Sequence, residues 1–243
     1  MVQKNMTYRV YANWAEFLGC DYSELLVPNV KVLQHSKSLD GYNGIYAFSN
    51  EISCIISTPP KYVSVLGKAV MNLRSDAVFD TEWLGQLLNG KRTKIIGPAF
   101  QGYVEGDSLL QAGSLSVIEY KSEHHRTLME ELRESCSEIE WQHSSIDEQK
   151  SPILLQILNG KVVAAGSWRR GESGFLSVGI ITHPAHRGKG YAKKVVNALT
   201  QRGLISGATM HYQTLESNTP SIAIAKALGY KRLGRTIAIR LSE

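Results

Sequence analysis

Three cysteines in 243 residues, Cys20, Cys54 and Cys136, are too few and too widely spaced for a disulfide framework or a thiolate metal site. Buried reduced thiols and no bound metal are the expectation. No apolar run approaches the length of a membrane span, and Met1-Val2-Gln3-Lys4-Asn5 carries no secretory pattern. The chain therefore reads as soluble and cytoplasmic, with no membrane partner. Basic residues are present, but without the stripe of aromatic or base-reading side chains that nucleic-acid binding needs. Between Gly171 and Glu243 ten Lys or Arg stand against three Glu, and before that 17 basic residues face 19 acidic ones. The excess reads as a solvated basic face with an anion site inside it. What remains is ordinary packing material: 43% hydrophobic residues suffice for one large core or two small ones.

The densest pattern runs from Phe175 to Leu204. An apolar strand, Phe175 to Ile181, passes through Thr182-His183-Pro184-Ala185-His186 and turns at Arg187-Gly188-Lys189-Gly190 into a helix. Tyr191, Ala192, Val195, Val196 and Leu199 recur at helical spacing, with Lys193, Lys194, Asn197, Thr200 and Gln201 on the other face. A helix start leaves backbone N–H groups without partners and carries partial positive charge, so it attracts anions. Gly188 and Gly190 let a phosphate approach those groups, and Arg187, Lys189, Lys193 and Lys194 add charge around them. A pyrophosphate is the natural guest.

Spacing excludes two common phosphate loops. The Walker A pattern is absent, and a dinucleotide fingerprint fails because Lys193 holds the third glycine position. Ala208, Thr209 and Met210 occupy the region where that fingerprint needs an acid. The stretch instead resembles the pyrophosphate motif of the GNAT superfamily of acyl-CoA-dependent N-acyltransferases: Gln or Arg, two residues, Gly, one residue, Gly or Ala. Arg187, Gly190 and Ala192 match it. A second family element follows in order. Asn218-Thr219-Pro220-Ser221 precedes Ile224-Ala225-Lys226-Ala227-Leu228-Gly229-Tyr230, with Tyr230 in place of the usual Phe.

The resemblance covers roughly the last 130 residues and implies an α/β fold with a mixed sheet over 114–243. Residues 1–113 read as an additional N-terminal α/β domain. Tyr8 to Leu18 is helix-like, Lys31 to Gln34 strand-like, and Gly44 to Ser49 with Ile52 to Ser57 a hairpin. Pro60 suits a helix start, a further helix runs from Asp80 or Thr81 to Leu88, and Thr93 to Ile96 is a short strand. Cys54-Ile55-Ile56-Ser57-Thr58-Pro59 echoes Gly179-Ile180-Ile181-Thr182-His183-Pro184. That echo is either a degenerate GNAT-like duplicate or chance. In the second half, strands are expected at Leu115 to Tyr120, Ile153 to Leu158, Lys161 to Ala165 and Thr209 to Leu215. Lys231 to Leu233 and Thr236 to Leu241 complete the set, and helices are expected at His124 to Cys136 and Ser221 to Leu228. Asn159-Gly160 marks a hairpin, and another turn falls at Arg170 to Gly174.

The resemblance also implies roles. Backbone groups of Ile180, Ile181 and Thr182 would hold the pantetheine arm of acetyl-CoA, and amides over Gly188, Lys189, Gly190, Tyr191, Ala192 and Lys193 its pyrophosphate. Arg187 belongs to the same motif, and Asn218 would contact the pantetheine. The family's parallel strands splay apart to bring thioester and amine together. Many members place a Tyr seven residues after the Asn and some a Glu five before it; here Ala225 and Gln213 stand there. Glu216 and His211 are the candidate catalytic replacements. Each also has a plainer reading: Glu216 as a turn carboxylate, His211 as a strand residue bonded to a carbonyl, Asn218 as a helix cap. Ser177 is a further candidate donor to the thiolate. Two functions follow: an N-acetyltransferase acting on a primary amine, or a non-catalytic acyl-CoA-binding sensor. Neither the acceptor nor the oligomeric state is specified by these residues.

Overall fold

The computed structural model describes residues 5–80, 82–83, 86, 92–106, 116–147, 152–171 and 174–242. The chain divides into two compact units. The first comprises Met1–Gln101, Thr214–Ser217 and Arg232–Glu243; the second comprises Gly102–Gln213 and Asn218–Lys231.

The first unit opens with helix α1 (Met6–Leu18), whose N–H of Tyr8 donates to the Asn5 side chain at 2.9 Å and whose end is closed by Gly19 in the left-handed region. Strands β1 (Asn29–Gln34), β2 (Gly44–Ser49) and β3 (Ser53–Thr58) follow, then helix α2 (Pro60–Val70), with a proline at its first position where no N–H is needed. β4 (Arg92–Val104) crosses from the first unit into the second, and the helix expected after Asp80 lies largely outside the described residues. β2 and β3 form the expected antiparallel hairpin, and β1 lies parallel to β3 with Asn29 opposite Ser53. Strand order is β1-β3-β2-β10-β4, where β10 (Lys231–Leu241) runs antiparallel to β2. The core gathers Ile45, Ile56, Leu66, Phe79, Ile237 and Ile239.

β10 departs from expectation in length and in partner. It is one strand rather than two around Gly234, and it pairs with β2 from Arg235 opposite Ser49 to Arg240 opposite Gly44. A Cβ at Gly234 would meet the Phe48 ring at 2.3 Å, so glycine there admits the ring instead of breaking the strand. The echo of the second half extends to a strand, a proline and a helix. Chain order differs: β1, the parallel neighbour of β3, precedes it in sequence.

The second unit contains β5 (Val117–Glu119), helices α3 (Ser122–Ser135) and α4 (Glu138–Ser144), and strands β6 (Ile153–Leu158), β7 (Lys161–Arg170) and β8 (Leu176–Thr182). Helix α5 (Tyr191–Ile205), β9 (Met210–Leu215) and helix α6 (Thr219–Ala227) complete it. The fading period at Ile139-Glu140-Trp141 is a separate helix, started by a capping box between Ser137 and Glu140. Strand order is β9-β8-β7-β6-β5; β5 to β8 are antiparallel neighbours and β8 with β9 is parallel. Met129, Leu132, Ile153, Leu155, Val162 and Ile181 form the core on the α3 side. The fold is thus mixed α/β, as expected. All three cysteines are free, and Cys54 is fully buried. Among the described residues no helix is long and apolar enough to cross a membrane, and no group of three or more side chains could hold a metal.

Candidate active site

The site is built where β8 and β9 part. Their register holds only Leu176 opposite Met210 and Ser177 opposite His211, and the pairing stops there. On its other side β8 stays paired with β7 from Leu176 to Thr182. Antiparallel ladders alternate, so each residue sends its N–H and C=O to one side only. His183 N–H donates to Val163 O at 3.0 Å and Leu176 N–H to Thr209 O at 3.0 Å, which fixes the phase. Ser177, Gly179 and Ile181 therefore face β7. Val178, Ile180 and Thr182 turn their backbone groups toward the opening.

Two of the three sequence-named strand residues, Ile180 and Thr182, thus lie on the open edge, whereas the backbone of Ile181 belongs to the ladder. Val178 was missed, although the period-2 alternation of a strand carries the signal. Arg187 Nε already donates to Thr182 O at 3.3 Å, which confirms the outward direction of that carbonyl.

Side chains alternate in the same way. A Cβ on Gly166, which pairs with Ile180, would meet Val195 and Leu199 of α5 at 3.0 Å, so Val178 and Ile180 face α5. A Cβ on Gly179 would lie 1.8 Å from the Ser144 carbonyl oxygen, so Ser177, Gly179 and His211 face α4. On that face Ser177 Oγ lies 3.2 Å from His211 Nδ1. The imidazole stacks on Tyr103 at 4.6 Å and 17°, and Tyr103 is itself braced edge-on by Phe175 at 5.7 Å. Burial pushes the His211 pKa down to about 4, because removal from water disfavours the charged ring.

At the other end of β8 the chain turns through Pro184–His186 into α5. Gly188 and Gly190 have φ of 74° and 81°, and a Cβ on either would meet nothing within 4 Å. The left-handed backbone calls for glycine, and the space above it is open to a ligand. Gly190 caps α5 without any side-chain hydrogen bond, and the first turn holds no acid. The first intrahelical acceptor is Gly190 O, taken by Lys194 N–H at 3.2 Å. The N–H groups of Tyr191, Ala192 and Lys193 precede it and have no acceptor in the helix.

The cations around this cradle divide into two groups. Arg187 reaches Glu140 at 2.8 Å as well as Thr182 O, and Lys189 Nζ folds onto Ala185 O at 3.1 Å, so both brace the turn. Glu140 is held below the usual carboxylate range, first by the Ser137 backbone N–H and hydroxyl and then by Arg187. Lys193 and Lys194 lie on the helix itself. His183, just before the turn, accepts from Ala185 N–H at 3.2 Å through Nδ1 and packs against His186 at 5.2 Å.

Asn218 caps α6, its Oδ1 accepting from Ser221 N–H at 3.3 Å, and it remains exposed. Glu216 is placed differently from His211. It lies in the first unit, with its N–H on Pro98 O at 2.8 Å, and its carboxylate meets Arg232 at 2.6 Å and Arg235 at 4.0 Å. Its carboxylate is thus held at the turn by two arginines. Of the two catalytic candidates, the fork of β8 and β9 contains His211.

Comparison with known proteins bears on this arrangement. Residues 118–230 match the family model of the acetyltransferase (GNAT) family. No curated protein matches. Among solved structures, a GCN5-related N-acetyltransferase from Kribbella flavida is similar over 99% of this chain and 97% of its own, at 13% identity and a TM-score of 0.51. A GNAT-family acetyltransferase from Colwellia psychrerythraea is similar over 65% of this chain at 18% identity and a TM-score of 0.50. The chain spans 61% of the length of the Colwellia protein. At these identities the likeness concerns the fold.

Proposed function

We propose, from the match of residues 118–230 to the acetyltransferase (GNAT) family model, that the protein transfers an acetyl group from acetyl-CoA directly to a primary amine. The observation that carries this reading is the open backbone edge of Val178, Ile180 and Thr182 leading from the fork of β8 and β9 to the uncapped start of α5. An amide-bearing arm ending in a pyrophosphate fits such a track. Bound acetyl-CoA would supply an acyl carbon activated as a thioester.

The chain's own groups take the following roles. N–H groups of Tyr191, Ala192 and Lys193, with the charges of Lys193 and Lys194, hold the pyrophosphate, and Gly188 and Gly190 let it approach. Val178, Ile180 and Thr182 bond the pantetheine amides as an added strand would. Asn218 contributes beside them. An outward backbone N–H past the last rung of the fork stabilises the charge that develops on the acyl oxygen; one such donor is worth ~10² to 10³-fold in rate. His211 keeps a neutral imidazole across physiological pH because burial holds its pKa to about 4. With Ser177 Oγ it accepts the proton that the amine sheds.

A direct test supplies acetyl-CoA with a panel of small amines, amino acids, peptide N-termini and lysine peptides, following thiol release and the acetylated product by mass. The expected result is thiol release coupled to acetylation of at least one class. With His211 titrating near 4, kcat/KM should follow the fraction of neutral amine as pH falls, with no separate inflection near ~6.5, the ordinary histidine value. Acetyl-CoA binding without acetylation of any amine would leave the non-catalytic acyl-CoA-binding reading in its place.

A further inference from the structure

We propose that Tyr212 gives the departing sulfur its proton from the α5 face of the sheet, while His211, the residue before it, serves the amine from the α4 face. The proposal rests on the acetyl-transfer reading above. It starts from the place of these two residues on β9. The register with β8 ends at Ser177 opposite His211, so Tyr212 is the first residue of β9 beyond the fork. Consecutive strand residues point to opposite faces. His211 shares its face with Ser177. Tyr212 shares its face with Met210, whose sulfur lies 2.0 Å from where a Cβ on Gly203 of α5 would sit.

The surroundings of Tyr212 fit a proton donor. Its ring, 2% exposed, is fixed edge-on by Tyr230 at 5.4 Å, and the Tyr230 hydroxyl is bonded to Thr200 Oγ1 of α5 at 2.8 Å. The Tyr212 hydroxyl reaches the partly exposed first turn of α6, where it lies 2.9 Å from Ser221 Oγ. Ala225, one helical turn beyond Ser221, is a fully buried methyl group with no proton to give. A phenol from the strand therefore stands beneath the helix whose own residue there is inert.

The two neighbours are also driven apart chemically. Burial lowers His211 and raises the Tyr212 phenol above its ordinary range, a rise partly opposed by the Ser221 hydrogen bond. At neutral pH both are uncharged, the imidazole with a lone pair to accept a proton and the phenol with one to give, while each shift away from neutrality makes the transfer itself harder. In the step, the amine nitrogen forms the C–N bond and the C–S bond breaks with its electron pair passing to sulfur. The Tyr212 Oη proton passes to that sulfur, and the phenolate regains a proton from water through Ser221 Oγ. The surplus proton of the amine leaves through Ser177 and His211 to water, so charge and protons balance.

The test uses Tyr212→Phe, which keeps the ring and removes only the hydroxyl, together with the wild-type protein carrying ¹³C-labelled tyrosine. Expected for the variant are calorimetric CoA affinity within about 2-fold of wild type and a fall in kcat of ~10²-fold, the lower range for a positioned acid. In the wild type, CoA should shift the Tyr212 Cζ resonance and desulfo-CoA, which lacks the sulfur, should not. Acetylation by the wild type with unchanged kcat in Tyr212→Phe, or equal shifts with both ligands, overturns the role of Tyr212 and leaves the acetyl-transfer reading standing. A wild type that binds CoA and acetylates nothing removes both.

Discussion

Gly190→Asp is expected to weaken binding of CoA and acetyl-CoA by about 100-fold or more, roughly 3 kcal/mol. The substitution places a carboxylate at the cap of α5, against the N–H groups assigned to the pyrophosphate. Nothing lies within 4 Å of a Cβ at this position, so the side chain meets no neighbour. The φ of 81° is strained for any side chain, but aspartate is among the residues that tolerate it, at a cost of about 1 kcal/mol. Gly190→Asn is the matched control, equal in shape and backbone strain and without the charge. Calorimetric titration of both separates repulsion from distortion: the asparagine variant should retain most of the affinity. Equal loss in the two would mean that left-handed geometry, rather than anion binding, is what glycine secures.

Gly179→Ala should be the most damaging small substitution in the second unit, destabilising it by about 3 kcal/mol, at the upper end for overpacking. Its Cβ would fall 1.8 Å from the Ser144 carbonyl oxygen, a backbone atom that a rotamer change cannot move. Either α4 lifts from β8 or the strand twists, and both disturb the face that carries Ser177 and His211. For a chain of this size the melting temperature should drop by roughly 6 to 12 °C. Gly67→Ala in α2 supplies the contrast, because no atom lies within 4 Å of its Cβ. That variant should gain about 0.5 to 1 kcal/mol from helix propensity alone. Thermal melts that rank the two the other way would contradict the packing described for β8.

What could be read from the residues was local. The glycines at 188 and 190, the proline opening α2 and the β2–β3 hairpin each follow from a few consecutive side chains, and the structure contains all three features. β10 was legible as extended chain but not as the partner of β2, because that pairing joins residues near 45 and 239 through two apolar faces that fit many partners. The split of α3 and α4 was hidden by a short period that the Ser137–Glu140 capping box explains once seen.

Within the site, the anion cradle was legible because it depends on backbone geometry that glycine announces. The acid–base groups were not. Glu216 reads as available from sequence because Arg232, which closes upon it, lies sixteen residues on, and the lowered pKa of His211 is hidden because its burial against Tyr103 joins residues over a hundred positions apart. Tyr212 stood beside His211 throughout, but only the end of the β8–β9 register shows that it emerges at the fork.

The central claim is that one ligand lies along the open edge of β8 and ends on the start of α5. Amide chemical shifts of ¹⁵N-labelled protein, followed during titration with CoA, test it most directly. The account predicts the largest changes at Tyr191, Ala192 and Lys193 and at Val178, Ile180 and Thr182, with smaller ones at Ser177, Gly179 and Ile181, whose N–H groups point to β7. Saturating changes confined to residues of the first unit, or a titration that leaves the amides of 191–193 unmoved, would contradict it.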